Sequence, residues 1–359
     1  MNDLASDVAV LPQTTRKLVI LTEGHAEQVS AKTAESVLRY RPEQVVALLD
    51  STHAGRTTQQ VFGVGGGTPI VASLDEAPEA NTLMLGIAPS GGRIPESWRQ
   101  LVLAAIDRGM DIVSGLHEFL CDDPEFSQAA AVRGVQLLDV RKNTERDVST
   151  CLGIREDCLR IHTVGNDCCV GKMLVAIELS QAMQRQGVNS KFIATGQTGI
   201  LVEGDGCPID RVIADFVSGA VEKLVLANQH HDVLFIEGQG SLAHPRYSGV
   251  TLGLLHGCLP HGMIMCYEVG RKSVHGMEHI ALKSLAELCD IYKKMANLMF
   301  PSQVIGVAMN SRNISFDEAE RERERVRSEL GLPVCDVIRH GPEELVQAIR
   351  QMSPWMAAS

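Results

Sequence analysis

Short apolar runs alternate with amphipathic stretches along most of the chain. Residues 17–22 (RKLVIL) and 45–50 (VVALLD) are apolar blocks bounded by polar or turn residues, which predicts two buried strands, and the stretch from about 29 to 39 between them has helical spacing. Further strands are expected at PIVA from 69, TLMLGIA from 82 and DIVSG from 111. Between the last two, residues 93–109 place Pro95 near a helix start and apolar residues at helical intervals. A second series follows: a strand ending at Gly165, a helix from 171 to about 186, and a strand at 191–196. Next come a helix from about 208 to 227 and a strand from 231, then strands at 262–267 and 303–309 with a long helix at 278–297 between them. From 315, SFDEAERERERVRSEL reads as an exposed charged helix. Strands alternating with helices predict an α/β fold: an N-terminal Rossmann-like doubly wound domain (1–150) followed by a second α/β domain (151–359), which the strand, glycine loop GNDCCVGK and helix at its start mark as P-loop NTPase-like. The boundary is placed near 150, within the polar stretch 139–157.

The stretch that organises the second half is CLRIHTVGNDCCVGKM, where a strand ends at Gly165, a loop of small residues follows, and Gly171-Lys172 opens a helix. Loop amides and a helix N-terminus directed at one point favour a phosphate, and Lys172 adds a full positive charge. Two departures from the common P-loop matter. Five residues, Asn166 to Val170, separate the glycines, and Met173 follows Lys172 where Ser or Thr normally ligates magnesium. The candidate phosphate-binding set is therefore Gly165, Asn166, Asp167, Cys168, Cys169, Val170, Gly171, Lys172 and Met173.

Ligands of parallel sheets sit outside the carboxyl ends of the strands, so the loops there carry the other candidates. Ser90, Gly91, Gly92 and Arg93 combine close backbone approach with a guanidinium suited to a carboxylate or phosphate. VFGVGGGTP at 61–69 lacks the strand-loop-helix placement of a dinucleotide fingerprint and reads as a flexible loop. LFIEGQG ends a strand at Glu237, beside the phosphates of such a domain, followed by Gln239, Ser241, His244 and Arg246. TGQTGILVEGDGCPIDR reads as a functional loop carrying Asp205, with Asp210 as the cap of the next helix. Arg271, in GRKSVH, follows a strand and suits an anion.

Composition narrows the classes. The net charge of −11 argues against nucleic acid, which needs a basic stripe to displace counterions. No apolar run approaches the roughly 20 residues that span a bilayer, and the N-terminus lacks a secretory pattern, so a soluble, cytoplasmic protein with no membrane partner is expected. The ten cysteines show no repeated metal-type spacing, and no metal site is expected from them.

GNDCCVGK, the EGQG loop and the VIGVAMN strand together resemble the dethiobiotin-synthetase branch of P-loop proteins over most of residues 158–310. A longer set covers nearly the whole chain: SGGRIPESW, VSGLHEFL, GNDCCVGKM, ATGQTGILVEGDGCPIDRVIADFVSGA and FIEGQGSLAHPRYSGVTLGLLHG. It resembles a two-domain bacterial family long listed as of unknown function, members of which are known as D-glutamate N-acetyltransferases. The resemblance implies acetyl transfer from acetyl-CoA to the amino group of D-glutamate or a related amino acid. On that reading the phosphate loop holds coenzyme A, with Asn310 near the adenine. Glu237 or Asp205 is the first candidate for the base and His244 the second. Amides from Gly238 to Ser241 serve the oxyanion. Arg93, Arg246 and Arg271, with Ser90, Gly91, Gly92, Gln239 and Ser241, receive the substrate. Magnesium is compatible with the sequence but not required by it, and a homo-oligomer is expected. Two other readings stand beside this one: a Mg-ATP-dependent ligase or kinase of the dethiobiotin-synthetase type, and a nucleotide-binding sensor without turnover.

Overall fold

A computed structural model of the chain describes residues 16–26, 31–87 and 91–352. The chain divides into two compact units, one made of residues up to Asn143 plus Gln197–Arg211, the other of Thr144–Gly196 and the residues from Val212 onward. Ser90 lies outside the described residues.

In the first unit six strands form one parallel sheet: β1 (Leu18–Leu21), β2 (Val45–Leu49), β3 (Ile70–Val71), β4 (Thr82–Leu85), β5 (Asp111–Ser114) and β6 (Leu137–Asp139). They lie in the order β3-β2-β1-β4-β5-β6, the Rossmann order, in which the strand sequence reverses between β1 and β4. β1 is buried at all four positions, as continuous apolar strands covered on both faces must be. Helices α1 (Lys32–Tyr40), α2 (Thr58–Phe62), α3 (Arg99–Asp107) and α4 (Pro124–Arg133) connect the strands. The glycine-rich stretch 61–69 forms the end of α2 and a turn in which Gly63, Gly65 and Gly66 adopt positive φ.

The second unit is built on β7 (Leu159–Gly165), α5 (Lys172–Arg185) and β8 (Ser190–Ile193), after which α6 (Gln197–Glu203) belongs to the first unit. The chain returns through α7 (Val217–Asn228), β9 (Val233–Ile236), α8 (Ser248–Cys258) and β10 (Gly262–Glu268). There follow β11 (Ser273–Val274), β12 (Met277–Ala281), α9 (Leu285–Ala296), β13 (Gln303–Asn310), α10 (Phe316–Leu330), β14 (Val334–Cys335) and α11 (Glu343–Arg350). Its parallel sheet runs β14-β13-β10-β7-β9-β8, with the phosphate-loop strand β7 between β10 and β9. Tyr292 and Leu288 of α9 pack with Met263, Met265 and Val307 of the sheet in one apolar cluster. α10 buries only Ala319 and Val326, and its N-terminus is closed by a Ser315–Glu318 capping box.

Three expected elements differ. Gln197–Glu203 is helical rather than loop. The helix expected from 208 starts at Val217, preceded by two single 3₁₀ turns. The long helix expected over 278–297 begins at Leu285, because β12 pairs antiparallel with β11 across a turn at Gly276 (φ 68°). Ser284 then caps the helix, accepting a hydrogen bond from the Glu287 amide. The polar stretch 139–157 is tied down from Thr144 onward: Glu222 of α7 accepts from the amides of Thr150 and Cys151, and Gly219 lacks the Cβ that would strike the Asp147 carbonyl. Among the described residues no helix is long and apolar enough to cross a membrane.

Candidate functional site

The phosphate loop takes the strand-loop-helix form. β7 is buried at all seven positions and delivers the chain to Asn166, and α5 starts at Lys172 after Gly171, whose φ of 103° suits glycine alone. Lys172 is buried and donates from Nζ to the Asp167 carbonyl at 2.7 Å, a bond that folds the lysine back over the loop. Burial lowers its pKa from the ordinary lysine value. Asn166 is buried in the same loop, and its Oδ1 has no hydrogen-bond partner within the protein. A lysine that has lost hydration fits a site completed by an anion, while the orphan Asn166 oxygen, an acceptor, calls for a donor group on whatever completes the site.

Asp167 is the hub. It is fully buried; Oδ1 accepts from the Cys168 amide at 2.7 Å, and Oδ2 accepts from Arg271 Nη1 at 3.0 Å and from the His275 amide at 2.8 Å. Arg271 also donates to the Cys168 carbonyl at 2.7 Å and to Glu268 at 2.9 Å. The end of β10 and the β11 turn thereby fix the loop from outside. Both oxygens of Asp167 accept hydrogen bonds, and Asp167, Cys168 and His244 lie close enough together to hold a metal ion, whereas Met173 brings no hydroxyl for magnesium. Arg271, expected to hold a substrate carboxylate, gives both terminal nitrogens to protein partners and acts as a tether of the loop.

Glu237 lies at the end of β9, buried, with Oε2 accepting from the amides of Thr195 (2.9 Å) and Gly196 (3.1 Å). The two amides fix the orientation of the carboxylate. The next residue must be glycine: a Cβ on Gly238 would lie 1.8 Å from the Thr163 carbonyl oxygen and 3.0 Å from Cδ of Lys172. That close approach sets the EGQG loop against the phosphate loop. The Gly238 amide donates to Thr163 Oγ1 at 3.0 Å, so it is not among the oxyanion donors expected from Gly238 to Ser241. Gln239 is held from both ends, donating to Thr195 Oγ1 and accepting from Thr251 Oγ1.

Tyr292, fully buried on α9, joins the two loops: its hydroxyl donates to the Gly165 carbonyl at 2.9 Å and accepts from the Leu242 amide at 3.1 Å. Tyr292→Phe leaves a buried carbonyl and amide unpaired, and a stability loss of about 1–3 kcal/mol is expected from denaturant unfolding. An unchanged unfolding midpoint would show that the bridge contributes nothing.

The remaining expected residues divide between the units. Ser241 is buried and accepts from the Ala243 amide. His244 is fully buried; Nδ1 accepts from the Arg246 amide at 3.2 Å, while Nε2 faces the His275 carbonyl at 3.3 Å and Asp167 Oδ1 at 3.9 Å. That pattern defines an Nε2–H imidazole with its lone pair occupied, so His244 supports the hub rather than accepting a substrate proton. Arg246 is exposed and reaches the Gly276 carbonyl at 3.4 Å. Asn310 ends β13, its side chain accepting from the Arg312 amide.

Gly91, Gly92, Arg93 and Asp205 belong to the first unit. There the Gly92 carbonyl accepts from the amides of His117 and Glu118, and a Cβ on Gly92 would meet the His117 ring at 2.6 Å. Arg93 is exposed and Asp205 half-buried. Asp210, expected to cap a helix, instead pairs with Arg141 at 3.1 Å and faces His117 at 3.8 Å, because α7 starts seven residues later, at Val217. Burial and the Arg141 charge lower the His117 pKa.

Tyr292, Thr163 and Thr195 carry the geometry of the site yet the sequence singles out none of them: Thr163 and Thr195 lie inside motifs that assign them no role, and Tyr292 lies outside all the motifs. Thr163 sits inside the β7 run, where a hydroxyl at an otherwise apolar buried strand position is a usable signal. Tyr292 has none: its partners lie 127 and 50 residues away in the chain.

Fold and site together define a two-domain α/β protein with a Rossmann-like first unit and a P-loop second unit. A family model described as a domain of unknown function, DUF1611_C P-loop domain, matches residues 144–346, and its Rossmann-like partner, DUF1611_N, matches residues 51–143. The chain belongs to this DUF1611 family. A protein of Tritonibacter scottomollicae named D-glutamate N-acetyltransferase is 36% identical over 325 residues, covering 90% of this chain and 95% of that one. One of the same name from a Pseudoalteromonas species is also 36% identical, covering 89% and 94%. The crystal structure of a DUF1611 family protein from Anabaena variabilis superposes with a TM-score of 0.89 at 34% identity, covering 94% of this chain and 99% of that one.

Proposed function

We propose that the protein is an N-acetyltransferase that moves the acetyl group of acetyl-CoA to the amino group of D-glutamate. The observation that carries this reading is the residue after the lysine: Met173 supplies no hydroxyl for the magnesium that accompanies a nucleotide triphosphate. Such a loop suits a carrier whose phosphates are held but not split. The names of the two relatives, at 36% identity over about nine-tenths of the chain, support the same reaction class.

In this reading the loop amides and Lys172 bind the phosphates of coenzyme A, and the Asp167 hub keeps the loop in shape without solvent. Glu237 takes a proton from the substrate ammonium, the amine nitrogen attacks the thioester carbonyl, the C–S bond breaks and coenzyme A leaves as the thiol. The carboxylate is oriented for that task by the Thr195 and Gly196 amides, which occupy one of its two oxygens. Asp205 is the next candidate for the base. Arg246, exposed on the loop that follows Glu237, is the cation assigned to a substrate carboxylate.

Incubating the protein with D-glutamate and either acetyl-CoA or Mg-ATP separates this reading from its rivals. Release of free thiol dependent on D-glutamate is expected; ADP formation without thiol release would overturn the proposal in favour of a ligase or kinase. Ligand binding with neither product would leave a sensor.

A further inference from the structure

The phosphate loop holds a feature that acetyl transfer does not use. Cys168 and Cys169 are adjacent at its apex, the first half-buried and the second exposed. Cys169 has a positive φ of 57°, one of three non-glycine residues in that region among the described residues. L-residues adopt this conformation at a cost, and it persists where the surroundings enforce it. Here the Asp167–Cys168 bond and the Arg271–Cys168 bond fix the preceding residue. The exposed His275 belongs to the same turn whose amide reaches Asp167. The outcome is that Sγ of Cys168, Sγ of Cys169 and a ring nitrogen of His275 all lie within 4.8 Å of one another.

We infer that Cys168, Cys169 and His275 form a binding site for a soft divalent cation, zinc in the first instance. Two thiolates and an imidazole are the donor set that zinc selects, and magnesium, which takes oxygen ligands, does not. A tetrahedral zinc with sulfur at about 2.3 Å and nitrogen at about 2.0 Å sets its donors within 4 Å of one another, close to the observed spacing. Three protein donors leave one position open, as in zinc sites that exchange a ligand. The support behind the donors is built as well: the carboxylate of Asp167 holds the backbone of Cys168 on one side and of His275 on the other. Ordering of this kind by an outer carboxylate is what keeps metal ligands in register. The cysteine spacing alone predicts no metal site, because adjacent cysteines match none of the usual ligand spacings. His275, 106 residues beyond Cys169, completes the set only in the fold.

The test uses the full chain, reduced and stripped with a chelator. Titration of Zn²⁺ against a chromophoric competitor should give one tight equivalent that millimolar Mg²⁺ does not displace. Co²⁺ in its place should give the near-ultraviolet band of thiolate-to-metal charge transfer. Cys169→Ser and His275→Ala should each weaken binding by more than the roughly 10- to 100-fold that follows loss of an outer partner alone. Cys151→Ser, at an exposed cysteine outside the cluster, should bind zinc as the native chain does. Counting reactive thiols with and without zinc checks the ligands independently of any folding defect: zinc should protect two. Absence of a tight equivalent, equal binding by Cys169→Ser and the native chain, or a charge-transfer band of undiminished intensity after that substitution would each overturn the site.

Discussion

Glu237→Gln is expected to slow acetyl transfer by about 10²-fold or more, the scale on which a general base acts, while coenzyme A binding stays near the native value. Glutamine is close in shape and its amide oxygen can still accept from the Thr195 and Gly196 amides, so the end of β9 should keep its geometry. What is lost is the capacity to take a proton. The measurement is the steady-state rate of thiol release with D-glutamate saturating, beside a direct binding isotherm for coenzyme A. A fall in kcat with binding retained supports the assignment. A normal rate would remove Glu237 from the chemistry and move attention to Asp205, with Asp205→Asn as the next variant.

Lys172→Ala should weaken coenzyme A by about 10- to 150-fold, the range for a hydrogen bond to a charged group, with a much smaller effect on the amino-acid substrate. The ammonium is buried and directed by the Asp167 carbonyl, so no neighbouring surface cation replaces it. The sign of the pH effect follows from the same burial. Only the protonated lysine attracts phosphate, and its pKa in the ligand-free protein is lowered. Affinity for coenzyme A should therefore be full at low pH and decline as pH rises through that lowered value, and Lys172→Ala should flatten the decline. Equal affinity of native and variant chains for coenzyme A, measured by calorimetry, would mean that the loop holds something else.

Legibility differed from element to element for identifiable reasons. β1, β2 and β9 are continuous apolar runs because a parallel sheet is covered on both faces, and such runs stand out in one dimension. The phosphate loop was equally plain, since its cradle is local: Gly165, Gly171 and Lys172 fall within eight residues. Most of β12 falls inside the helix expected over 278–297, because a short, half-exposed strand with a single well-placed apolar residue, Ile280, does not break a helical pattern. α6 was read as a loop because its glycine and small polar residues carry little helix signal, and its helical form is settled by packing on α1, where Thr198 meets Thr33 at 3.0 Å.

The sequence by itself determined the class of fold, the position of the phosphate cradle and the absence of a hydroxyl after Lys172. Each of these rests on neighbouring residues and the period of a strand or helix. Only the tertiary structure decided what the charged groups near that cradle do. Arg271 and His244, read as substrate-facing, are consumed by Asp167 and its neighbours, and Cys168, Cys169 and His275 converge although nothing in their spacing says so. The physical reason is that a buried carboxylate must be matched by donors wherever the fold can bring them. For Asp167 they come from a turn more than a hundred residues away.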